Sequence, residues 1–174
     1  EIELVLSNET QDLLQREVDI AVRMIRPTQT ALIARKIGGT TIGFYAHRRY
    51  LERCGTPETM NDLANHTVIG FDKETTSFRS VRALGVNIDR DSFSIRTDSD
   101  LAQLAAARAG IGIGGCQVRI AERDPDLVRV LTEGFSIVLP VWVAMHEDLR
   151  AIRRMRAMFD HLVQELPARI DRSN

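Results

Sequence analysis

The stretch Ala107–Gln117, "ARAGIGIGGCQ", decides the fold, because its glycines at 110, 112 and 115 match the spacing G-x-G-x-x-G. In a dinucleotide-binding fold this motif follows a strand and opens a helix, whose positive N-terminal end meets the pyrophosphate. Here the order is reversed, since the helix-forming segment Ser99–Ala109 precedes the glycines and the apolar strand Ile111–Gly115 follows Gly110. The helix therefore presents its carbonyl end, which repels phosphate. We predict that Gly110 ends this helix, and that the glycines at 112, 114 and 115 let the strand pack closely against neighbouring backbone.

Working outward, apolar runs of strand length alternate with helix-forming segments along most of the chain. The predicted strands are Ile2–Leu6, Val18–Met24, Thr30–Ile37, Thr41–Ala46, Thr67–Phe71, Phe93–Thr97, Ile111–Gly115, Leu127–Leu131 and Val141–His146. The predicted helices are Thr10–Arg16, a segment that follows Pro57 and is capped by Thr56, Ser99–Ala109, Gln117–Arg123 and Glu147–Leu166. This alternation predicts an α/β fold with largely parallel sheets.

Three local details complete the prediction. The dipeptide Gly38-Gly39 is expected to form a turn that separates the third strand from the fourth. In the helix Ser99–Ala109, the spacing places Leu101, Leu104 and Ala105 on an apolar stripe. The motif Thr97-Asp-Ser-Asp100 fits an N-terminal capping pattern with an acidic first turn.

Composition excludes several classes of function. The formal net charge is −1, so the chain lacks the basic excess with which DNA-binding domains neutralise phosphates. No apolar run approaches the roughly 20 residues that span a bilayer, and the beginning lacks the order of a secretory signal. The two cysteines, Cys54 and Cys116, are far apart. We therefore expect a cytoplasmic domain with no membrane contact and no affinity for DNA of its own.

Residues with catalytic or metal-binding chemistry are scattered. The four histidines have no H-x-x-x-H or H-x-x-E spacing, Cys116 is expected to be a buried structural thiol, and no serine lies in a G-x-S-x-G elbow. We expect no metal, no cofactor and no enzymatic activity. Arg150, Arg153, Arg154 and Arg156 form a basic cluster, interpreted as a solvated face or a subunit contact in preference to a DNA contact.

A larger pattern resembles a known family. The pieces are "DLLQREVDIAVRM" (12–24), "LIARKIGGTTIGFYAHRRYL" (32–51), "DLANHTVIGF" (62–71), "DSDLAQLAAARAGIGIGG" (98–115), "LVRVL" (127–131) and "VWVAMHEDLRAIRRMRAMFDHLVQEL" (141–166). In this order they resemble the effector-sensing domain of LysR-type transcriptional regulators. The DNA-binding domain and the first strand–helix unit of the sensing domain have no counterpart, so we expect a fragment.

The resemblance implies two Rossmann-like lobes joined by two crossover strands, as in type 2 periplasmic binding proteins. Residues 1–46 and 141–174 would form lobe 1, and residues 47–140 would form lobe 2. Thr41–Ala46 would be the outgoing crossover, and the run around Val138–Val141 the return. A small metabolite would bind in the interlobe cleft of a homodimer or homotetramer, which would bind DNA only through an N-terminal helix-turn-helix domain.

In open α/β sheets, ligands bind beyond the carboxyl ends of strands. One such end carries Arg23 and Met24, and Arg23 suits a carboxylate; the alternative is that it pairs with a surface acid. A second strand end carries Asp72 and Lys73. The alternative is that their loop is a solvated connection without ligand contacts.

The third end carries Thr97, Asp98 and Ser99, where the resemblance implies effector contacts and free N–H groups favour an anion. The alternative is pure N-capping. Because Asp98 and Asp100 would repel an anion, the sequence leaves the charge of the effector open.

Two other functions remain as alternatives. A solute-binding protein of a transport system has the same two-lobe plan and is expected to carry an export signal. A small-molecule enzyme on an α/β fold would need a nucleophile–base pair or a metal set.

Overall fold

The computed structural model describes residues 1–7, 13, 17–74, 78, 79, 82 and 89–170. The chain divides into two compact units. The central unit comprises Glu1–Thr10 and Ile42–Ile137, and the terminal unit comprises Gln11–Thr41 and Val138–Asn174. The predicted helix Thr10–Arg16 lies outside the described residues apart from Leu13, and the lobe boundaries at 46/47 and 140/141 remain a prediction.

The central unit is a mixed sheet covered by short helices. Its strands are the second half of β2 (Leu32–His47), β3 (Val68–Gly70), β4 (Ile95–Arg96), β5 (Ile113–Gln117) and β6 (Leu127–Val130). Its helices within the described residues include α1 (Arg48–Cys54), α2 (Asp100–Arg108) and α3 (Val118–Ala121), with 3-10 turns at Met60–Asn65 and Arg90–Ser92. β3 pairs in parallel with β4 and β5, whereas β2 pairs antiparallel with β5 and β6.

The terminal unit is built around β7 (Ile137–His146), which pairs antiparallel with β1 (Ile20–Arg23) and also neighbours β2. A 3-10 turn, Glu147–Ala151, and helix α4 (Arg153–Glu165) follow, and a last 3-10 turn covers Leu166–Ala168. Phe159 of α4 packs on Val141, Val143 and Met145 of β7. Burial of these apolar side chains is the main term that stabilises the unit.

The glycine-rich stretch has the polarity that its sequence predicts. Helix α2 ends at Arg108, and Gly110 follows with φ +71°. The N–H groups of Gly110 and Ile111 donate to the carbonyls of Ala107 and Ala106, which is a Schellman motif. Because a helix precedes the glycines and β5 follows them, the prediction that Gly110 ends a helix is confirmed.

Close packing holds for only one of the other three glycines. A Cβ on Gly112 would lie 2.3 Å from the Thr67 carbonyl oxygen, so only glycine fits there. At Gly114 and Gly115 the nearest atoms would lie at 3.6 and 3.9 Å, which is ordinary contact. The prediction of close backbone packing is therefore right for Gly112 and wrong for the other two.

Several predicted elements differ from the structure. Residues 1–7 are exposed and form no strand, so the apolar side chains of Ile2, Leu4, Val5 and Leu6 remain more than half exposed. The Gly38-Gly39 pair does not end a strand, since β2 continues through it from residue 32 to 47 with Gly38 at φ +149°. Gly38 adopts a backbone angle that other residues avoid, so the strand can continue through the pair.

The largely parallel sheet is also a wrong expectation, because only the β3 pairs are parallel among the pairs for which a register is known. Hydrophobic periodicity indicates an extended segment and not the direction of its neighbour. The predicted helix Glu147–Leu166 is interrupted at Ile152, which separates a 3-10 turn from α4. Thr59, not Thr56, lies at the start of the turn Met60–Asn65, where the Asp62 carboxylate accepts the Thr59 N–H at 2.8 Å.

Two histidines perform the same task, one in each unit. His47 ends β2 and His146 ends β7, with nearly identical backbone angles. The Nδ1 atom of His47 accepts the Arg49 N–H at 3.1 Å, and that of His146 accepts the Asp148 N–H at 3.2 Å. Each imidazole thus caps the helical turn that follows its strand.

Candidate functional site

Predicted site residues of the central unit meet at the carboxyl ends of β3 and β4. Because these strands are parallel, Asp72, two residues after β3, lies beside Thr97, which directly follows β4. The Thr97 N–H donates to the Gly70 carbonyl at 2.9 Å and so extends the ladder by one bond. We call this group, formed by Asp72, Lys73 and Thr97–Ser99 with Arg90 and Gln103 around it, the strand-end corner.

Asp98 joins the two segments of the corner. Its Oδ1 atom accepts the backbone N–H groups of Asp72 and Lys73, both at 3.0 Å. A carboxylate that accepts two N–H groups from the facing loop fixes the shape of that loop. The structure therefore gives Asp98 a positioning task within the chain itself.

The charge of Asp72 is compensated locally. Its Oδ1 atom lies 2.8 Å from Nη2 of Arg90 and 4.0 Å from Nε of Arg96, and Arg90 Nε donates to the Asp72 carbonyl at 2.8 Å. The side chains of Arg90 and Asp72 are 53% and 44% exposed, so the pair adds little stability. It does offset the negative charge that would otherwise repel an anion from the corner.

Ser99 and Thr97 hold hydroxyl groups at the start of α2. Ser99 is the N-cap, and its Oγ accepts the Ala102 N–H at 3.3 Å. The Thr97 Oγ1 accepts the Ser99 N–H, also at 3.3 Å. Because each oxygen acts as an acceptor, each O–H is left to donate. Ser99 therefore caps the helix. Thr97, the first residue of the predicted capping motif, does not.

Gln103 is a residue of the corner that the sequence analysis missed. Its side chain is 5% exposed, and its amide Nε2 donates to the Thr97 carbonyl at 2.7 Å. The predicted apolar stripe of α2 is correspondingly displaced, since Leu101 is 62% exposed and Ala105 is exposed, while Gln103 and Ala107 are buried. A glutamine four residues after the N-cap faces the same side of the helix, and that spacing is the signal that was available.

The remaining predicted residues, Arg23 and Met24, belong to the terminal unit. Arg23 is the last residue of β1, is partly buried and lies opposite Trp142 of β7. Met24 packs on the apolar core of Ile37, Val141 and Phe159, so its side chain contributes to core packing.

Trp142 adds a polar group that the sequence analysis did not consider. Its indole Nε1 is enclosed and has no hydrogen-bond acceptor among the residues that the structure describes. An enclosed indole N–H usually finds an acceptor, so an unmatched one requires an explanation. Arg26 lies over the Trp142 ring at 5.7 Å, which brings a cation to the same surface.

Other reactive groups are dispersed. In the described part of the chain, no three His, Cys, Asp or Glu side chains are grouped as a metal ion would require. Cys54 is exposed, and burial raises the pKa of the partly buried Cys116 thiol, which lowers its thiolate fraction. Among the described helices, none combines the length and the apolar character that crossing a bilayer would demand.

Comparison with known proteins identifies the family. The model of the LysR substrate binding domain matches residues 1–167. An uncharacterized HTH-type transcriptional regulator of Haemophilus influenzae is 31% identical over 140 residues, which is 76% of this chain and 48% of that protein. The chain spans about half the length of these curated relatives.

Solved structures of LysR-type regulators have the same fold as this chain. The regulatory domain of CrgA, a LysR-type transcriptional regulator from Neisseria meningitidis, superposes with a TM-score of 0.76 at 26% identity, covering 88% of this chain and 78% of that one. The effector domain of the regulator AmpR from Pseudomonas aeruginosa gives 0.67 at 19% identity, with 93% and 78% covered. The α/β fold of the type 2 periplasmic-binding-protein class is thereby confirmed. The chain belongs to the LysR substrate-binding domain family.

Proposed function

We propose that this chain is the effector-sensing part of a bacterial LysR-type transcriptional regulator. The family match over residues 1–167 is the observation that carries the proposal. The proposed role is ligand binding without turnover, in a cytoplasmic regulator that acts as a homodimer or homotetramer. DNA would be bound by a helix-turn-helix segment outside these 174 residues, because the relatives are HTH-type transcriptional regulators.

The proposed signal is a shift between two states of the regulator. A metabolite that binds one state more tightly biases the equilibrium by no more than its difference in affinity. Couplings of this kind are typically about 1–3 kcal/mol. Such a value is enough to change operator occupancy several-fold to about a hundredfold.

We propose that Asp72, Thr97, Asp98 and Ser99 supply one set of effector contacts. The O–H groups of Thr97 and Ser99 are left to donate, while Asp98 is held by two backbone N–H groups and Asp72 by Arg90. The two hydroxyl groups can therefore donate to a ligand, whereas Oδ1 of each carboxylate already accepts hydrogen bonds within the chain. This supports an effector that carries acceptor oxygens, such as a carboxylate or a carbonyl.

A second set of contacts is proposed for Arg23 and Met24 in the terminal unit. The Arg23 guanidinium can bind a carboxylate through two parallel hydrogen bonds. The indole N–H of Trp142, opposite Arg23 in the strand register, is an additional donor without an acceptor among the described residues. An oxygen-rich effector would bind the Arg23 guanidinium and offer an acceptor to the Trp142 indole.

The test is a metabolite screen by thermal melting, because a ligand of the native state raises stability by mass action. At a concentration of 100 times Kd, the gain is about 2.7 kcal/mol, or roughly 5–10 °C for a domain of this size. Arg23→Ala, Thr97→Ala and Ser99→Ala should abolish the rise. Thr132→Ala, in an exposed turn, is the matched control and should retain it.

Two results would reject the proposal. An unchanged ligand response in all three site variants would place the effector elsewhere, and consumption of the ligand would indicate an enzyme. The full reading frame distinguishes a transcriptional regulator from the alternative, a solute-binding protein of a transport system. A helix-turn-helix segment before residue 1 supports a regulator, whereas an export signal there supports a solute-binding protein.

A further inference from the structure

A cavity in the terminal unit lies outside the strand-end corner and away from Arg23. It has a volume of about 250 Å³ and lies where α4 meets the ends of β2 and β7. Ile33, Met145 and Phe159 form its apolar floor, and Met145 and Phe159 are 2% and 5% exposed. Arg35, Arg150 and Arg156 line its wall, so we call it the arginine pocket.

The charge around this pocket is unbalanced. Of the described residues that line it, three carry guanidinium groups and one, Asp160, carries a carboxylate, which leaves two formal positive charges in excess. Asp160 lies 3.6 Å from Arg156, and both side chains are about two-thirds exposed, at 66% and 68%. An exposed i,i+4 pair of this kind is weak, so Arg156 can be shared with another anion.

The other two arginines have no counter-ion in the described part of the chain. Neither Arg35 on β2 nor Arg150 in the turn before α4 makes a side-chain hydrogen bond or an ion pair with any described residue. Arginine cannot lose its charge, and its planar fork matches a carboxylate. Two guanidinium groups from separate elements therefore line a cavity whose floor is apolar.

The size and the lining restrict the occupant. An apolar cavity of about 150 Å³ holds benzene, so 250 Å³ accommodates one ring or a short chain together with an acidic group. DNA phosphates are a poor match for a concave site with an apolar floor and an aspartate in its wall. We propose that the arginine pocket binds a small organic carboxylate, with its acid on Arg35 and Arg150 and its hydrocarbon on Met145 and Phe159.

This second site goes beyond the effector contacts proposed above, and its test is independent of them. The 174-residue chain, with ¹³C-methyl methionine, is titrated with cyclohexanecarboxylate while NMR follows the Met145 methyl group, assigned through Met145→Leu. We expect this signal to shift in a saturable manner. Met60, which belongs to the central unit, should not shift.

Two comparisons distinguish the contribution of charge to binding from the contribution of shape. The neutral cyclohexanecarboxamide should not bind, and the variant Arg35→Gln/Arg150→Gln should weaken binding of the acid at least about tenfold. Arg154→Gln is the matched control, since Arg154 is exposed near the start of α4 and does not line the pocket, and it should bind as the unmodified chain does. Absence of saturation, equal binding of the carboxamide, or equal weakening by Arg154→Gln would overturn the proposal.

Discussion

The strand-end corner and the arginine pocket show two opposite ways of placing polar groups. In the corner, Asp98 accepts two backbone N–H groups, Asp72 is paired with Arg90, and the Gln103 amide is bonded to a carbonyl. In the pocket, Arg35 and Arg150 have no anionic partner among the described residues. The corner therefore depends on its polar groups for its own structure, whereas the pocket does not. Substitutions should cost stability in the first region and leave it nearly unchanged in the second.

The largest loss of stability is expected from Gly70→Ala, at the base of the corner. A Cβ there would lie 2.3 Å from the buried Phe93 ring, so the ring or the strand must move. Overpacking of this kind costs about 1–3 kcal/mol. Urea unfolding measures the loss. Gly134→Ala is the control, because its new Cβ would lie 3.6 Å from its nearest neighbour, and an equal loss there would show that the clash is not the cause.

Asp98→Ala should produce the next largest effect. The variant leaves the N–H groups of Asp72 and Lys73 without their acceptor, at a cost of about 1–2 kcal/mol. Asp98→Asn keeps an acceptor oxygen and should recover part of the loss. If thermal melting showed both variants equal to the unmodified chain, Asp98 would not position the loop.

Ser99→Ala should cost less, about 0.5–1 kcal/mol, because it removes an N-cap whose hydrogen bond is long at 3.3 Å. Thr97→Ala, which removes no helix cap, should cost less still. Denaturant midpoints of the two variants provide the comparison. A larger loss for Thr97→Ala than for Ser99→Ala would show that Thr97, and not Ser99, is the residue that stabilises the start of the helix.

The smallest effect is expected in the arginine pocket. Arg35→Gln and Arg150→Gln should change the free energy of unfolding by no more than about 0.5 kcal/mol, the usual range for exposed positions. Calorimetry without ligand measures this directly. A loss above about 1 kcal/mol, well outside the range for surface sites, would mean that these cations stabilise the fold and would remove the contrast between the two regions.

Local signals in the sequence predicted most of the corner but, of the pocket, only the basic cluster that contains Arg150 and Arg156. The helix start, the glycine at its end and the strand ends at 71 and 97 can be derived from capping chemistry and short-range periodicity. These features bring Asp72 and Thr97–Ser99 together as soon as β3 and β4 pair in parallel. The pocket joins Arg35 to Arg150, which are more than a hundred residues apart in sequence. No local pattern reports such a contact.

The same distinction explains the wrong predictions about the strands. The Gly38-Gly39 pair is typical of a turn, yet β2 passes through it because its flanking residues find partner strands from elsewhere in the chain. Conversely, Ile2–Leu6 is an apolar run of strand length and forms no strand. Burial of Gln103 likewise depends on the Thr97 carbonyl, which becomes its acceptor only once β4 and α2 are in place.

The two histidine caps provide intrinsic spectroscopic reporters. Because Nδ1 of His47 and of His146 accepts a backbone N–H, each ring must carry its proton on Nε2, a tautomer that ¹⁵N chemical shifts distinguish from its alternative. One ring belongs to the central unit and the other to the terminal unit. Fraying of either capped turn would therefore change the ¹⁵N chemical shifts of its own imidazole. The two units can thus be followed separately during denaturation without attaching a probe group.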